Sequence, residues 1–287
     1  MKISSVFAHK NLFKKKKQTG LSLIELLIAM LIGLFLLIGI TTSYLSSKKS
    51  SVTRDQVSIL QDNGRAALEI LTETLQHAGY RSTSLGLLED AFMINDQPTS
   101  TSCGGTINSV VNPNIFPATN IVNDNATGDS IGITYLGDNE LNTDCAGGLV
   151  EALPAECRVG SGAAAEASEI YNAFFIDNNT ATLQCAGSRS TAPVDIAEGV
   201  ENIQILYGIN ADDDDSKSVE RYVRASDVGN DWGLVVSIQI AILVRTPLEI
   251  KTQAESKTFS LLDEEVTTNN DRFQRAVFTT SINLRNI

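Results

Sequence analysis

An almost unbroken apolar run from Leu26 to Ile40 follows closely on a block of four lysines, Lys14 to Lys17. A helix rises about 1.5 Å per residue, so roughly twenty such residues cross a hydrocarbon layer of about 30 Å. Lysines beside a membrane segment favour the cytoplasmic side. The sequence therefore predicts one transmembrane helix with a cytoplasmic N-terminus and the rest of the chain beyond the membrane.

One carboxylate, Glu25, lies at the start of this apolar segment. A carboxylate in a bilayer helix is costly, so it usually has a partner and often a function. Cleavage between Gly20 and Leu21 would create a new α-amino group four residues before Glu25. The same amine on a neighbouring subunit could neutralise the carboxylate.

An ordinary secretory signal peptide and a simple membrane anchor are the alternatives. A secretory signal has an apolar core of about 7–15 residues, followed by a small-x-small cleavage site. Here the apolar run is longer, a carboxylate interrupts it, and the small residue precedes it. A simple anchor explains the length but gives Glu25 no role.

The residues around Glu25 resemble the class III signal of type IV prepilins and type II secretion pseudopilins. The resemblance rests on the lysine-rich leader, Gly20 and the run Ser22-Leu23-Ile24-Glu25-Leu26-Leu27-Ile28-Ala29-Met30. It implies that a prepilin peptidase cleaves after Gly20 and methylates Leu21, and that Glu25 acts in assembly. Leu21 stands where phenylalanine is usual, and Thr42 where major pilins often have a helix-kinking proline, so a straighter helix is expected.

Charge separates the leader from the rest of the chain. Residues 1–20 hold six lysines and no acidic residue, whereas the remainder holds 16 basic and 34 acidic residues, a net charge of −18. This acidic balance argues against a nucleic-acid partner, and solubility is a sufficient reason for it. A length of 287 residues with 43% hydrophobic content permits a substantial core.

The helical pattern continues from Ser43 to Tyr80. Apolar residues recur there at spacings of three, four and seven, which predicts one apolar stripe that needs a packing partner: Leu60, Ala67, Ile70, Leu71, Leu75 and Ala78. Gly79 predicts the helix stop, and Gly64 predicts a local softening of the helix. The expected divisions are a leader (1–20), a transmembrane and assembly helix (21–45), its amphipathic continuation (46–80) and a head (81–287).

After Gly79 the composition becomes rich in turn-forming residues with short apolar runs. Alternation predicts strands at Ile131–Tyr135, Ile203–Ile209, Leu234–Arg245 and Phe273–Leu284, and a hairpin of Ile170–Asp177 with Thr180–Cys185. In the strand at Leu234–Arg245 the predicted apolar face comprises Leu234, Val236, Ile238, Ile240, Ile242 and Val244. One apolar face per strand predicts an antiparallel sheet covered on one side. The expected fold is α+β, with a long N-terminal helix, its first half transmembrane, packed on a C-terminal antiparallel β-sheet head, as in pilins.

Further segments are similar to the PilW family of minor pilins. They are Gln61–Glu69, Ala78–Tyr80, Gly199–Gly208, Asp231-Trp232 and Arg275–Asn286. The similarity touches both ends of the chain and leaves about Leu85 to Ile196 uncovered. It implies a subunit that primes type IV pilus assembly at or near the tip, with the J-like pseudopilin of type II secretion as the rival. Because the region from 85 to 196 is rich in loops, an adhesive tip module also stays open.

The same resemblance implies where the protein works and with what. The implied location is the inner membrane, with a periplasmic head, and then the pilus at the cell surface. The implied partners are prepilin peptidase, other minor pilins, the major pilin and a tip adhesin. The implied processes are cell adhesion and twitching motility.

Four cysteines lie in the predicted head, at Cys103, Cys145, Cys157 and Cys185. An exported head meets an oxidising compartment, so two disulfides are expected, and three pairings are possible. No CxxC pair occurs and both histidines lie outside this region, which argues against zinc. The contexts of Cys145 and Cys185 resemble a recurring pair in PilW-like proteins, and this resemblance favours their pairing.

No enzyme signature is present in the sequence. It has no G-x-S-x-G, no P-loop and no H-E-x-x-H, which predicts a structural or interaction subunit without a cofactor. Asp212 and Asp214, in an acidic turn that begins at Asn210, are candidate calcium ligands. The loop pattern lacks glycine at its sixth position and has Arg221 at its twelfth, so a solvated acidic turn is favoured.

Overall fold

One long helix, α1, spans Leu23–Leu75 in the computed structural model of the protein. The structure describes residues 20, 22–80, 91–92, 128–137, 141, 143–148, 168–187, 192–211, 218–229 and 231–286. The chain divides into two compact units, Met1–Ser51 and Val52–Ile287. The predicted long helix is confirmed, and it is continuous through Thr42, where no proline interrupts the backbone hydrogen bonds.

Within the second unit, α1 buries one face. Its buried residues follow one another at spacings of three or four, the period of a single helix face: Gln56, Leu60, Gly64, Ala67, Leu71 and Leu75. The predicted stripe is therefore confirmed and extended by Gln56 and Gly64. The helix is continuous through Gly64, so the local softening expected there is not seen as a break. The glycine instead allows a close contact with Phe278.

The helix α1 ends at Leu75, four residues before the predicted stop at Gly79, and residues 76–79 form a turn. Gly79 has φ +70°, a left-handed conformation that favours glycine, and its N–H donates to Thr134 O at 3.0 Å. The side-chain amide of Asn286 donates to Gln76 O at 3.0 Å and so satisfies a carbonyl left free at the helix end. The C-terminal segment is thereby tied to the last turn of the helix.

A first sheet contains four antiparallel strands in the order β1-β2-β3-β4. They span β1 Ile131–Gly137, β2 Ser168–Asp177, β3 Thr182–Gly187 and β4 Val194–Glu198. The predicted hairpin around Asn178-Asn179 is confirmed, with β3 starting two residues later than expected. Ala181, just before β3, has φ +53°.

A second sheet has the order β10-β7-β5-β6 and is also antiparallel. Its strands are β5 Val200–Ile209, β6 Arg221–Val223, β7 Val235–Arg245 and β10 Arg275–Asn283. Gly199 alone separates β4 from β5, with φ +79°, and a Cβ there would lie 2.6 Å from Arg245 O. Only glycine fits this passage from one sheet to the other.

A small hairpin covers the far face of β7. It consists of β8 Thr258–Leu261 and β9 Glu264–Thr267, and Leu261 packs with Ala241 and Leu243. The expectation of a sheet covered on one side only is therefore wrong for β7, which is buried on both faces. A short helix, α2, spans Ala225–Val228.

The main core of the second unit combines the buried stripe of α1 with both larger sheets. Ile238, Ile240, Ile242 and Val244 of β7 belong to it, as predicted. Leu234 lies in a 3-10 turn before β7, and Val235 joins the core in place of Val236 because the register shifts between Gly208 and Ile209. Leu234 still packs against this core, so the predicted apolar face is correct except at Val236, and the α+β class is confirmed.

Candidate functional site

The first candidate region is the N-terminal end of α1. Ser22 precedes the helix and its carbonyl accepts hydrogen bonds from the N–H groups of Glu25, at 3.0 Å, and Leu26, at 3.2 Å. In return, the Ser22 N–H donates to Glu25 Oε2 at 3.4 Å. Glu25 thus occupies the third helical position, and its contact with the Ser22 N–H is the glutamate half of a capping box, which satisfies a backbone donor that the helix leaves free.

Of the two residues of the predicted cleavage site, Gly20 and Leu21, the structure describes Gly20. Gly20 is exposed, and a Cβ there would meet no atom within 4 Å among the described residues. No packing contact in the described part of the chain therefore requires glycine at this position. Leu21, the predicted methylation site, lies outside the described residues.

Apolar side chains surround the first half of α1 on all sides. Every large hydrophobic residue from Leu23 to Leu45 is exposed, the least exposed being Leu26 at 48%. Such a surface is typical of a helix that lies in lipid or in a partner's apolar core. In length and composition the helix suits a membrane span.

Two threonine hydroxyls near the end of this apolar stretch are satisfied within the helix. Thr41 Oγ1 donates to Leu37 O at 2.7 Å, and Thr42 Oγ1 donates to Ile38 O at 3.0 Å. Hydroxyls bonded to the preceding turn do not need water or another partner. Thr41 and Thr42 are therefore compatible with an apolar environment.

The second candidate region is a disulfide-bonded loop on the first sheet. Cys145 is joined to Cys185 in β3, with 6.3 Å between their Cα atoms. This is the pair that the family resemblance favours. Cys103 and Cys157 lie outside the described residues, so their pairing stays a prediction.

Polar contacts hold the same loop against the sheet. The Cys145 N–H donates to Asn172 Oδ1 at 2.9 Å, and Asn172 Nδ2 donates to the Tyr135 hydroxyl at 3.3 Å. The Tyr135 hydroxyl in turn donates to Thr143 O at 3.0 Å. Burial raises the pKa of Tyr135 to about 12, with the Asn172 hydrogen bond opposing and the Asp144 carboxylate adding to the rise. The phenol therefore keeps its donor at neutral pH.

Asp144 shapes the turn within this loop. Its Oδ1 accepts from the N–H groups of Ala146, at 3.1 Å, and Gly148, at 2.6 Å. Its side chain also occupies the space beside Gly187, where a Cβ would lie 2.3 Å from Asp144 Cγ. The loop is consequently a fixed feature of the head surface.

A buried ion cluster lies on the second sheet. Arg275, whose side chain is 3% exposed, donates from Nε to Glu201 Oε2 and from Nη2 to Asp271 Oδ2, both at 2.5 Å. Burial lowers the pKa of Arg275, but the hydrogen bonds to Asp271 and Glu201 outweigh it, so the guanidinium stays charged. The sequence gives no signal for this cluster, because Arg275 and Glu201 are far apart along the chain.

The predicted calcium candidates, Asp212 and Asp214, lie outside the described residues. Within the described ranges, no three His, Cys, Asp or Glu side chains come together as metal ligands. The calcium site stays an untested expectation.

Two family matches link these regions. Residues 15–41 match the prokaryotic N-terminal methylation motif, and residues 173–286 match the family described as type IV pilus-assembly protein W, or PilW. The chain is a type IV pilin-like protein with a PilW domain and an N-terminal methylation motif. The PilW match begins inside β2, at residue 173. It therefore includes part of the region from about Leu85 to Ile196, which the sequence motifs do not cover.

The PilW match contains β3, the second sheet and the ion cluster, whereas the methylation motif contains Gly20 and the capping box. A type IV-like pilin from Thermus thermophilus is similar over 82% of this chain and 97% of its own length, with 13% identity and a TM-score of 0.39. A search of curated proteins finds no match. The assignment rests on the two family matches.

Sequence reasoning predicted roles for Gly20 and Glu25 but did not single out Ser22. The missed signal is the S-x-x-E spacing of Ser22 and Glu25, which is typical of a capping box.

Proposed function

We propose that this PilW protein is a minor pilin that primes type IV pilus assembly and lies at or near the pilus tip. The observation that carries the proposal is the presence of the methylation motif and the PilW match in one chain. The role is structural, because the chain supplies an assembly helix and a folded head.

Processing at Gly20 is the first step of the proposed role. A peptidase at the membrane face needs an accessible backbone, and Gly20 is exposed with open space around its α-carbon in the described structure. Cleavage there would remove residues 1–20 with their six lysines and make Leu21 the new N-terminus. Prepilin peptidase is the proposed partner, with Leu21 as its methylation site.

Glu25 is the proposed assembly residue. Among the residues that the structure describes, its carboxylate accepts one long contact, from Ser22, and the first half of its helix presents apolar side chains all round. Packed among other pilin helices, an unpaired carboxylate would cost several kcal/mol. The methylated amine of a neighbouring subunit would remove that cost, which supports a position just below the tip, with another minor pilin stacked above.

The proposed location follows the same logic. Lysines in the leader favour a cytoplasmic N-terminus, so the head would be periplasmic before assembly and would reach the cell surface in the pilus. The Cys145–Cys185 disulfide supports an oxidising compartment for the head. Other minor pilins, the major pilin and a tip adhesin are the expected neighbours, and nucleic acid is not.

Deletion of the gene in its native host, with complementation by the full-length chain, tests this function. We expect loss of surface pili, counted by electron microscopy, while type II secretion of a reporter enzyme continues. Restoration of pili by the wild-type gene is the control. Normal piliation with failed secretion would instead assign the chain to the rival class, the J-like pseudopilins.

A further inference from the structure

A polar cleft of about 350 Å³ lies in the second unit, away from α1. It forms where the β2–β3 turn meets the ends of β5, β7 and β10 and the residues that follow β9. Its polar lining is mostly amide, hydroxyl and guanidinium groups, contributed by Asn178, Asn179, Asn202, Thr267, Thr268, Asn269, Arg245 and Arg275, with Glu201. Small-ligand pockets span about 300–1,000 Å³, so the cleft can hold one small polar molecule.

The charged side chains that line the cleft are already matched, with the help of Asp271 beside it. The guanidinium N–H groups of Arg275 donate to Glu201 and Asp271, and Glu201 accepts from both Arg275 and Arg245. The hydrogen bond from Arg275 lowers the pKa of Asp271, which keeps this carboxylate ionised at neutral pH. Two guanidinium groups and two carboxylates therefore leave the cluster with no net charge, and a charged ligand would upset that balance.

Arg245 keeps hydrogen-bonding capacity in reserve. Its Nη1 donates to Glu201 Oε1 at 3.2 Å, the one hydrogen bond that its side chain makes with residues the structure describes. Its guanidinium carbon lies 4.5 Å from the centre of the Phe273 ring, and 30% of the side chain is exposed. The ring contact fixes the guanidinium plane while its remaining N–H groups stay available to an acceptor.

Amide groups on the rim add further capacity. Asn178 and Asn269 are exposed, and neither side chain makes a hydrogen bond within the described ranges. Asn179 is held by Asp177, whose Oδ1 accepts both its N–H, at 2.9 Å, and its Nδ2, at 3.1 Å. The rim at the β2–β3 turn is thus fixed by Asp177, and Asn178 beside it offers both a donor and an acceptor.

We propose that this cleft binds a neutral sugar unit of a glycan. Fixed donors from Arg245 and amides from Asn178 and Asn269 suit ring hydroxyls, which both donate and accept. The balanced ion cluster beneath them disfavours a charged ligand. Recognition of this kind gives the head a glycan-binding activity separate from assembly, and it needs neither Gly20 nor Glu25.

Ligand-observed NMR on the full-length protein tests the inference. The protein is kept in a detergent without sugar groups, and the probes are the methyl glycosides of glucose, galactose, mannose and N-acetylglucosamine. We expect saturation transfer to at least one of them. Glucuronate and galacturonate are run beside them to separate neutral from acidic recognition.

Two variants assign the binding to the cleft. Arg245→Lys keeps a positive charge for Glu201 but loses the planar donor fork, and the double variant Asn178→Ala/Asn269→Ala removes exposed amides without touching the core. Each should weaken binding about tenfold, as expected when one or two hydrogen bonds are lost. Asn283→Ala, at an exposed asparagine of β10 outside the cleft, should bind as the wild type does.

If Arg245→Lys does not fold, the double variant Asn178→Ala/Asn269→Ala alone tests whether the cleft binds the glycoside. Absence of transfer to every neutral glycoside would overturn the inference, as would preference for the uronates. Equal binding by the double variant and the wild type would also overturn it. Because pilus assembly is not measured here, these outcomes are independent of the proposed assembly role.

Discussion

Gly64 of α1 packs directly against the ring of Phe278 in β10. A Cβ atom at position 64 would lie 2.5 Å from Phe278 Cε2, closer than side-chain carbons approach. Glycine costs about 1 kcal/mol of helix propensity relative to alanine. Glycine at position 64 therefore lowers the intrinsic stability of the helix but allows closer packing of α1 on the second sheet.

We expect Gly64→Ala to lower the free energy of unfolding by about 1–3 kcal/mol, because overpacking outweighs the gain in propensity. Denaturant unfolding of the full-length protein in detergent, followed by the fluorescence of Trp232, measures this change. Gly39→Ala is the matched control, since its Cβ would meet no atom within 4 Å in the described structure. Adding Phe278→Leu should recover part of the loss, and a Gly64→Ala protein as stable as the wild type would contradict the steric explanation.

Local patterns in the sequence predicted much of the fold. The spacing of Leu60, Ala67 and Leu71 gave the buried face of α1, and Gly79 gave its end, because both signals depend on residues close together in the chain. The pairing of Arg275 with Glu201 could not be predicted, since either residue alone fits an exposed position. The cover on Leu243 was also missed, because its partner Leu261 lies on a strand of four residues, too short to show alternation.

Among the candidate functional residues, too, those in local motifs can be predicted from the sequence, whereas those brought together from distant strands cannot. Gly20 and Glu25 stand in a motif of fixed spacing, so the sequence alone allows a role to be predicted for each of them. The cleft around Arg245 gathers residues from distant strands, and no short motif carries them. Composition predicted disulfides but left three pairings open, and only the resemblance favoured Cys145 with Cys185.

The Cys145–Cys185 disulfide closes a segment with a sequence separation of 40. Replacement of both cysteines by serine should lower the free energy of unfolding by about 2–4 kcal/mol, chiefly because the unfolded chain gains freedom. Unfolding of the oxidised wild type and the double variant measures the difference. The reduced wild type should be at least as destabilised as the variant, because reduction also opens the predicted second disulfide.

Peptide mapping without reductant checks the pairing itself. We expect one linked peptide pair containing Cys145 and Cys185 and a second containing Cys103 and Cys157. A linkage from Cys145 to either of the other two cysteines would show that this pairing is wrong.

Protonation of Asp271 should make the free energy of unfolding of the head decrease at acidic pH. Its carboxylate accepts from Arg275 Nη1 at 2.7 Å and from the Phe273 N–H at 3.0 Å, and the Arg275 contact lowers its pKa below the ordinary 3.8. A lowered pKa in the folded state stabilises the protein above the ordinary value, and this stabilisation is lost as the pH falls through the folded value. The relevant window therefore lies below about pH 4.

Asp271→Asn should cost about 1–3 kcal/mol at neutral pH, the range for hydrogen bonds to charged groups. The difference from the wild type should narrow as the pH falls below 4, because the wild-type carboxylate then becomes protonated. Asp231→Asn, at an exposed aspartate, should follow the wild-type curve. A constant difference between Asp271→Asn and wild type down to acid pH would exclude a role for this ionisation.

Gly20→Val should block processing, because a branched side chain shields the backbone that the peptidase must reach. We expect the uncut precursor to accumulate in the membrane, with an intact N-terminus by mass spectrometry. The wild type should begin at a methylated Leu21. A wild-type protein that keeps Met1, or begins far from Leu21, would contradict the prepilin assignment.

Glu25 has two possible uses, and two substitutions separate them. Its Oε2 accepts the Ser22 N–H at 3.4 Å within its own helix, while its charge is available to the amine of a neighbouring subunit. Glu25→Gln keeps an acceptor oxygen for the cap but removes the charge, whereas Glu25→Ala removes both. We expect leader cleavage and head folding to survive in both variants, because neither depends on that charge.

Incorporation into pili distinguishes the two uses. If Glu25 pairs with a neighbouring amine, both variants should be reduced in sheared pili, since the amine would remain charged and unpaired among apolar helices at a cost of several kcal/mol. If the cap alone matters, Glu25→Gln should incorporate normally and Glu25→Ala should lose only the 0.5–2 kcal/mol, about 1 on average, of a helix cap. Immunodetection in sheared pili, with pilus counts and crosslinking between Ile24 positions of adjacent subunits, measures this. Full incorporation of both variants would mean that Glu25 is an incidental polar residue at the membrane interface.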